Sequence, residues 1–469
     1  MNLKKYIGDR AFYKMALGVA VPIMIQNGIT NFVNMLDNIM VGRVGTVQMS
    51  GVAVANTLLF VLNLAFFGAF SGAGIFGAQF FGKKDFDGCR FMLRYKLLVG
   101  AILTIIGCGV FVFFGSELIM LYLKGEGDAK EIADTLMYGR RYMLIMLAGI
   151  PAFAISQCYA SSLRESGETV VPMTAGICAV FVNLVFNAIL IFGYLGAPKL
   201  GTDGAAIATV ISRYVEAAII VSYSHRHTAR FPFVRGVLKK FYVPKQLLGA
   251  VTLKSLPLML NETFWSLGLA LLNQCYSLRG HYVLASVNIS STLINVLNVT
   301  FLAMGVSTGI IIGQLLGAGK IEEAIEKDKK LIALSIFVST ISLIVLISVS
   351  GLFPKIYDTE PHVRQLAQRL IIISAVLLPI QAYANSVYFT LRSGGKIFIT
   401  VLFDSIFTWV IVSPAAFVLA NFTGISIELL YFICNGLQII KCIIGYFLIK
   451  SGIWLNNIVD DKNTKEQTT

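Results

Sequence analysis

The chain of 469 residues is 56% hydrophobic and only 13% charged, with a net charge of +13 and a mean hydropathy of +0.76. Soluble domains carry about 25% charged residues, so the composition excludes an ordinary soluble protein and favours one whose apolar segments face lipid. The positive charge lies in short segments between apolar runs, as the positive-inside rule requires, and does not indicate binding to nucleic acid.

Twelve apolar runs follow one another along the chain. Each exceeds 18 residues and lacks the period-two alternation of barrel strands, which predicts membrane-spanning helices. We therefore predict an all-α membrane protein of twelve transmembrane helices. The predicted helices are 15–40, 51–79, 92–114, 135–162, 169–192, 204–223, 251–278, 285–313, 331–353, 366–391, 397–420 and 425–449.

Lysines and arginines are distributed unequally between the two sides of these helices. The side that holds the N-terminus and the segment around Lys239 and Lys240 carries far more of them, which predicts that both termini are cytoplasmic. The predicted organisation is an N-terminal six-helix lobe (1–224), a basic cytoplasmic linker (225–250), a C-terminal six-helix lobe (251–450) and a polar cytoplasmic tail (451–469).

The two predicted lobes repeat one another in sequence. The motif Val21–Ile25 resembles Leu256–Leu260, 235 residues later, and after a shift of the offset to 228 Leu163-Arg164 matches Leu391-Arg392. Further matches at the first offset are Gln79 with Gln314 and Gly82 with Gly317. Six helices per half is an even number, so the two halves have the same orientation and are related by an axis along the membrane normal.

Three carboxylates lie within the predicted helices, where a charge is costly. Asp37 is either a residue at the outer end of its helix or part of a functional site. Glu262 either faces a cavity or pairs with a neighbouring helix. Asp404 follows the loop from Arg392 to Lys396 by about two turns, so it either pairs with a cation near the interface or is part of a functional site. The residues alone leave these alternatives open.

The first predicted helix has one polar face. Asn27, Asn31, Asn34 and Asn38 recur at helical spacing, and Asp37 lies one turn after Asn34. Such a stripe is expected to point into the helix bundle.

Prolines interrupt the first and the seventh predicted helix at matching positions of the repeat, Pro22 and Pro257. A proline in a helix interior removes one backbone hydrogen bond and kinks the helix. Each is therefore either a static kink or a hinge, and we predict a hinge.

Taken together these features resemble the multidrug and toxic compound extrusion (MATE) family, over nearly the whole chain. The resemblance rests on the two six-helix halves, on Leu36–Gly42 closing the first helix, on the Gly/Gln-rich ends of the second and eighth helices, and on the Leu-Arg-x-x-Gly turns at 163–167 and 391–395. It implies a V-shaped, two-lobed antiporter with a central cavity, which exports amphipathic, cationic organic compounds in exchange for Na⁺ or H⁺. It also implies kinship with flippases for lipid-linked saccharides.

The resemblance further implies a coupling-ion site in the N-terminal lobe. In the family the aspartate of the first helix, here Asp37, binds the ion together with polar residues of the fifth and sixth helices. The matching positions here are Asn183, Asn187 and Thr209, and we add Asn34 beside Asp37. Some members have a second aspartate where Asn187 stands, and one carboxylate among neutral oxygens suits a hard cation such as Na⁺. Proton coupling remains open, because a single aspartate can also take up a proton.

Some family members have a second ion site, made by acids of the seventh and tenth helices. Glu262 approximates the first acid, whereas Gln381 stands where the second is expected. We therefore assign Glu262, Gln381 and Asp404 to the substrate cavity, where carboxylates would attract a cationic substrate.

Competing functions make different demands on the sequence. A flippase for a lipid-linked saccharide needs a strongly cationic cavity, but the first, second, seventh and eighth helices carry acids and amides. An enzyme that uses Mg²⁺–diphosphate needs an Asp-rich motif, which is absent from the sequence, and Gly77–Lys84 resembles a nucleotide-binding P-loop without its Ser/Thr or preceding strand. We expect a monomeric plasma-membrane transporter, not an enzyme, with no cofactor other than its coupling ion and no partners beyond small organic substrates and lipid.

Overall fold

The computed structural model describes residues 5–123, 128–239, 241–357 and 359–460. Its elements are almost all helices, and no strand occurs within those ranges. The α-helices are α1 (Arg10–Gly42), α2 (Thr46–Lys83), α3 (Phe86–Leu123), α4 (Ala129–Leu147), α5 (Ile150–Glu165), α6 (Val170–Phe192), α7 (Thr202–Arg226), α8 (Lys245–Ser277), α9 (His281–Gly317), α10 (Ile321–Ser350), α11 (Pro361–Ser393), α12 (Ile397–Val401), α13 (Ser413–Phe422), α14 (Ile427–Gly436) and α15 (Gln438–Lys450).

Each of the twelve predicted helices has a counterpart among these elements. Three predicted helices are interrupted: one forms α4 and α5, which are bent by 49° at their junction, one runs from α12 to α13 through two π-helical turns, and one forms α14 and α15. In the described ranges ten helices are long and apolar enough to cross a membrane, and eleven if α4 and α5 form one span. The twelfth, α8, is 33 residues long and is not among them.

The described chain forms two compact units. Of the described residues, unit 1 contains 5–24, 78–84, 260–357 and 359–460, and unit 2 contains 25–77, 85–123, 128–239 and 241–259. These bounds differ from those of the predicted lobes 1–224 and 251–450, because the start of α1 and the end of α2 group with the second half of the chain. The segment 225–250, predicted as a linker, belongs to unit 2, where the Arg94 side chain donates to the carbonyl oxygens of Val237 at 2.8 Å and Gly236 at 2.9 Å.

The helices α1, α2 and α8 each contribute to both units, and α1 and α8 do so beside a proline. The chain passes from unit 1 to unit 2 after Met24, two residues beyond Pro22, and from unit 2 to unit 1 after Met259, two residues beyond Pro257. Both prolines lie inside their helices. The change of unit therefore occurs next to each predicted hinge, at matching positions of the sequence repeat.

Within unit 1 the repeat produces a reciprocal close approach of two helices. A Cβ atom on Gly82 of α2 would overlap the carbonyl oxygen of Gln314 of α9, and one on Gly317 would overlap the carbonyl oxygen of Gln79. Gln79 and Gln314 are partners in the repeat, as are the two glycines. Small residues at such a crossing allow two backbones to approach closely.

The residues after α15 pack against the same end of unit 1. Trp454 is only 1% exposed, and the Gln79 side chain donates to the carbonyl oxygen of Asn456 at 3.1 Å and accepts from the backbone N–H of Ile458 at 2.8 Å. The packed chain thus extends to Asp460, beyond the predicted end of the second lobe at residue 450. The rest of the predicted tail, 461–469, lies outside the described residues.

Candidate functional site

Polar side chains from three helices of unit 2 meet around Asp37, near the end of α1. Asn187 on α6 donates through Nδ2 to Asp37 Oδ1 at 2.6 Å and to Asn183 Oδ1 at 3.0 Å. Asn183 in turn donates to Thr209 Oγ1 on α7 at 3.2 Å. We call Asp37, Asn183, Asn187 and Thr209 the Asp37 cluster. The helical spacing explains the arrangement, because Asn183 and Asn187 lie one turn apart on the face of α6 that packs toward α1 and α7.

The amides of the Asp37 cluster are buried, and that of Asn183 has two possible orientations. Asn183 and Asn187 are 5% and 1% exposed. With its amide turned over, Asn183 would donate to the two oxygens of Asp37 at 3.0 and 3.1 Å and accept from Thr209. In the orientation that donates to Thr209, the Asn183 oxygen faces the Asp37 carboxylate. The Asn187 oxygen is buried, and no hydrogen-bond donor among the described residues reaches it.

No side chain neutralises Asp37 in the part of the chain that the structure describes, where it makes no ion pair with a lysine, arginine or histidine. Its polar neighbours are neutral, and a buried carboxylate without a counter-charge is costly. One carboxylate with amide and hydroxyl oxygens is the ligand set of a hard cation of low charge, and it fits Na⁺. The side chain of Asn34, the remaining residue of the predicted site, lies outside the described part of the structure.

A second polar group in unit 1 contains the other two predicted acids. Lys441 on α15 donates to Asp404 Oδ1 at 2.8 Å, and Asn261 on α8 donates to Asp404 Oδ2 at 3.1 Å. Glu262 lies 4.0 Å from the Arg392 guanidinium and accepts from the Tyr388 hydroxyl at 3.4 Å. The Asn261 amide also lies 3.5 Å from that hydroxyl. We call Asn261, Glu262, Tyr388, Arg392, Asp404 and Lys441 the Glu262–Asp404 network.

The Glu262–Asp404 network carries two acids and two cations, so it is neutral as a whole. The two acid side chains are 14% and 18% exposed, and those of Arg392 and Lys441 are 8% and 9% exposed. Aromatic rings cover the cations: the Lys441 ammonium lies 5.1 Å from the ring centre of Phe403. Asp404 pairs with a cation, which is one of the alternatives that the sequence leaves open. Its partner lies on α15, however, and not in the loop from Arg392 to Lys396.

Asp404 lies in a π-helical turn. Leu402–Ile406 and Thr408–Val412 both have this wider geometry, between α12 and α13. Such turns interrupt the regular hydrogen-bond ladder of a helix and are often found at functional sites. Gln381, predicted with these acids, lies two turns before Tyr388 on α11 and is half-buried. Whether Glu262, Asp404 and Gln381 line a substrate cavity stays a prediction.

The sequence predicts the two acids of the network as site residues, but not Asn261, Tyr388 or Lys441, which contact them. Tyr388 and Asn261 carried no distinct signal in the sequence. Lys441 did, because it matches Arg213 in the repeat and both are rare cations in apolar segments. That signal indicated a buried cation without indicating which acid it would meet.

A family model described as MatE matches two parts of this chain, residues 22–189 and 257–418. The two matches begin at Pro22 and Pro257, which occupy the same place within the repeated motif Val21–Ile25 and Leu256–Leu260. This agreement confirms the predicted repeat of two halves.

Relatives and solved structures agree with the family match. The chain is 23% identical over 412 residues to "Probable multidrug resistance protein YoeA" of Bacillus subtilis, covering 87% of each chain. It is 24% identical over 414 residues to "Probable multidrug resistance protein NorM" of Thermotoga maritima, covering 87% of this chain and 86% of that one. Among solved structures, the outward-facing conformation of a multidrug resistance MATE family transporter matches with a TM-score of 0.84 and 18% identity, over 96% of this chain and 98% of the other. A MOP superfamily transporter from Pyrococcus furiosus matches with a TM-score of 0.81 and 18% identity, over the same shares.

Proposed function

Because the chain belongs to the MatE family of multidrug efflux transporters, we propose that it is a secondary antiporter that exports amphipathic, cationic organic compounds in exchange for Na⁺ or H⁺. Family membership makes it a multi-pass membrane transporter and not an enzyme. We propose that it is a monomer in the plasma membrane. The distribution of lysine and arginine supports a cytoplasmic position for both termini.

The Asp37 cluster is the observation that carries the proposal of ion coupling. It combines a carboxylate that has no cationic partner among the described residues with two buried amides and a hydroxyl. A cation or a proton from solution would neutralise that carboxylate. Na⁺ suits the neutral oxygens of Asn183, Asn187 and Thr209, whereas a proton needs only Asp37 itself.

Coupling requires that the ion and the substrate bind two conformations with different affinities. We propose that the bending of α1 and α8 at Pro22 and Pro257 links these conformations. In support, each helix passes from one compact unit to the other within a few residues of its proline. Asp37 lies on α1 beyond Pro22, so ion binding at Asp37 and bending at Pro22 act on the same helix.

The Glu262–Asp404 network bears on the choice between an exporter of cations and a flippase. A flippase for a lipid-linked saccharide needs an excess of positive charge to bind diphosphate, whereas Arg392 and Lys441 are each accompanied by an acid. The balance of charge in this network therefore favours the antiporter over the flippase.

The proposal is tested by counterflow of a fluorescent cation in proteoliposomes that contain the full chain. A Na⁺ gradient at equal pH and a pH gradient without Na⁺ are imposed separately, with no gradient as the control. Uptake driven by either gradient supports antiport and identifies the ion. Uptake that neither gradient alters would contradict antiport.

A further inference from the structure

The internal repeat places two different polar groups at matching positions of the two halves. In unit 2, Lys96 on α3 forms an ion pair with Glu165 on α5 at 2.5 Å and also donates to Ser162 at 3.1 Å. The repeat that matches Arg164 with Arg392 also matches Ser162 with Thr390 and Glu165 with Ser393. Unit 1 therefore keeps a hydroxyl at the position that matches Ser162 but has no acid at the position that matches Glu165.

Unit 1 has a lone acid in this region instead of the ion pair. Asp328 on α10 is 0% exposed, and its Oδ1 atom lies 2.5 Å from the Thr390 hydroxyl on α11. The position that matches Lys96 is Leu331, one turn further along α10. Among the described residues Asp328 has no ion pair, and its Oδ2 atom has no hydrogen-bond partner.

The lysines near Asp328 on its own helix are directed elsewhere. Lys327 pairs with Glu323 at 2.6 Å, Lys330 pairs with Glu326 at 2.5 Å, and Lys329 is exposed. The buried apolar residues Ala324 and Leu331, each about one turn from Asp328 on α10, belong to the hydrophobic core of unit 1. The charged and titratable groups on the helices packed around this region include Tyr13 on α1, Glu323, Glu326, Lys327, Lys329 and Lys330 on α10, Tyr383, Tyr388 and Arg392 on α11, and Cys442 and Tyr446 on α15.

The Thr390 hydroxyl has a single hydrogen, and this indicates how the charge of the Asp328 carboxylate is neutralised. The Thr390 hydroxyl has one hydrogen but contacts two acceptors, the Ser386 carbonyl oxygen at 3.0 Å and Asp328 Oδ1. If that hydrogen goes to Ser386, the contact with Asp328 needs a hydrogen from the acid itself. A proton on Asp328 satisfies both contacts and removes a buried charge that no cation among the described residues compensates.

We propose that Asp328 is a second proton-binding site of this transporter, separate from the Asp37 cluster, and that its proton exchanges with solution during transport. Asp328 lies seven residues into α10, about 10 Å along the helix axis from its first residue, and Thr390 lies three residues before the end of α11. Both residues therefore lie near the ends of their helices. In the proposed exchange a proton passes from water to the carboxylate and returns to water by the same route. The site does not depend on the choice of ion at Asp37.

Infrared spectroscopy of the purified full-length protein tests the proposal, because a protonated carboxyl group has its own C=O band. We expect such a band at neutral pH in the wild type. Asp328→Asn should lose it while preserving size, and Asp37→Asn, the matched control, should keep it. Thr390→Val should shift the band, because protonated Asp328 loses the hydroxyl that accepts its hydrogen bond. This variant supplies the same test if Asp328→Asn does not fold.

Exchange of the proton is tested by titration. The band should disappear reversibly as the pH rises while the protein stays folded, and Asp328→Asn should flatten the pH profile of efflux without abolishing transport. The absence of a band that depends on Asp328 would overturn the proposal, and so would an unchanged pH profile in Asp328→Asn. A band that persists at every pH compatible with folding would make Asp328 a permanently neutral structural acid. Loss of the band on adding Na⁺ at constant pH would make it a metal-cation site.

Discussion

The Asp37 cluster and the Glu262–Asp404 network both hold carboxylates within apolar helices, but they neutralise them differently. Asp37 is surrounded by neutral amides and a hydroxyl. Glu262 and Asp404 lie beside Arg392 and Lys441. A group without an internal counter-charge can respond to ions in solution, whereas one that carries its own cations is already compensated. This difference leads us to assign ion coupling to the Asp37 cluster.

The largest effect is expected from Asp37→Asn, which keeps the size of the side chain but removes its charge. Gradient-driven efflux should be lost, because no ion would then distinguish the two conformations. Substrate binding should largely survive if the substrate binds elsewhere. The measurements are equilibrium binding of a fluorescent substrate in detergent and active efflux from cells.

Asp87→Asn is the matched control for this substitution, since Asp87 is 73% exposed and lies on the surface of α3. It should leave both binding and efflux unchanged. Efflux at the wild-type rate in Asp37→Asn would refute the assignment of the site. Joint loss of binding and efflux would make Asp37 a substrate-binding or folding residue.

A large loss of stability is expected when the Glu262–Asp404 network loses one cation. Lys441→Met leaves the Asp404 carboxylate buried without its partner, and breaking a buried pair in this way costs about 3–5 kcal/mol. The double variant Lys441→Met/Asp404→Asn removes both charges and should recover most of that loss. Thermal unfolding in detergent measures both. Equal destabilisation by the single and double variants would show that the ion pair is not the cause.

A smaller effect is expected on substrate charge. If Glu262 faces the substrate, Glu262→Gln should reduce export of cationic dyes more than export of neutral ones, because it leaves the Arg392 charge in excess. A change of about tenfold in the ratio of the two rates corresponds to about 1.4 kcal/mol. Efflux of paired cationic and neutral dyes measures the ratio. Equal reductions for both dyes would assign Glu262 to structure or ion coupling.

The smallest effect is expected from Thr209→Val, which removes one neutral oxygen from the Asp37 cluster. A single hydrogen-bonding group contributes about 1 kcal/mol, so the Na⁺ concentration for half-maximal transport should rise only severalfold. Titration of transport with Na⁺ at fixed pH measures it. Complete loss of Na⁺ stimulation would mean that Thr209 acts on the fold and not as one ligand among several.

The sequence was sufficient to place the twelve helices, because long apolar runs admit few other structures in lipid. The helix ends were less predictable, since charged residues in the first turns resemble a loop. The predicted helix 331–353 begins at Ile321 in the structure, so Asp328 lies outside the predicted bounds although it is buried inside α10. The buried face Ala324, Asp328, Leu331 and Ser335 has helical spacing and is the signal that would have identified it.

The two polar groups were unequally predictable. For the Asp37 cluster, the family resemblance supplied the helices that meet, and Asn183, Asn187 and Thr209 do lie with Asp37. For the Glu262–Asp404 network, periodicity indicates which face of a helix is polar but not which helices are adjacent. The pairing of Asp404 with Lys441 on α15 therefore had no sequence signal. Nor did the π-helical turn that contains Asp404, because it depends on packing and not on local residue preference.

Equilibrium ion binding to the purified protein tests the central claim most directly. Radioactive Na⁺ and the protons released on its addition are measured for the wild type, Asp37→Asn and Asp404→Asn. We predict saturable binding or proton release that is lost in Asp37→Asn and retained in Asp404→Asn. Ion binding that persists in Asp37→Asn, or that disappears only in Asp404→Asn, would contradict the assignment of ion coupling to the Asp37 cluster.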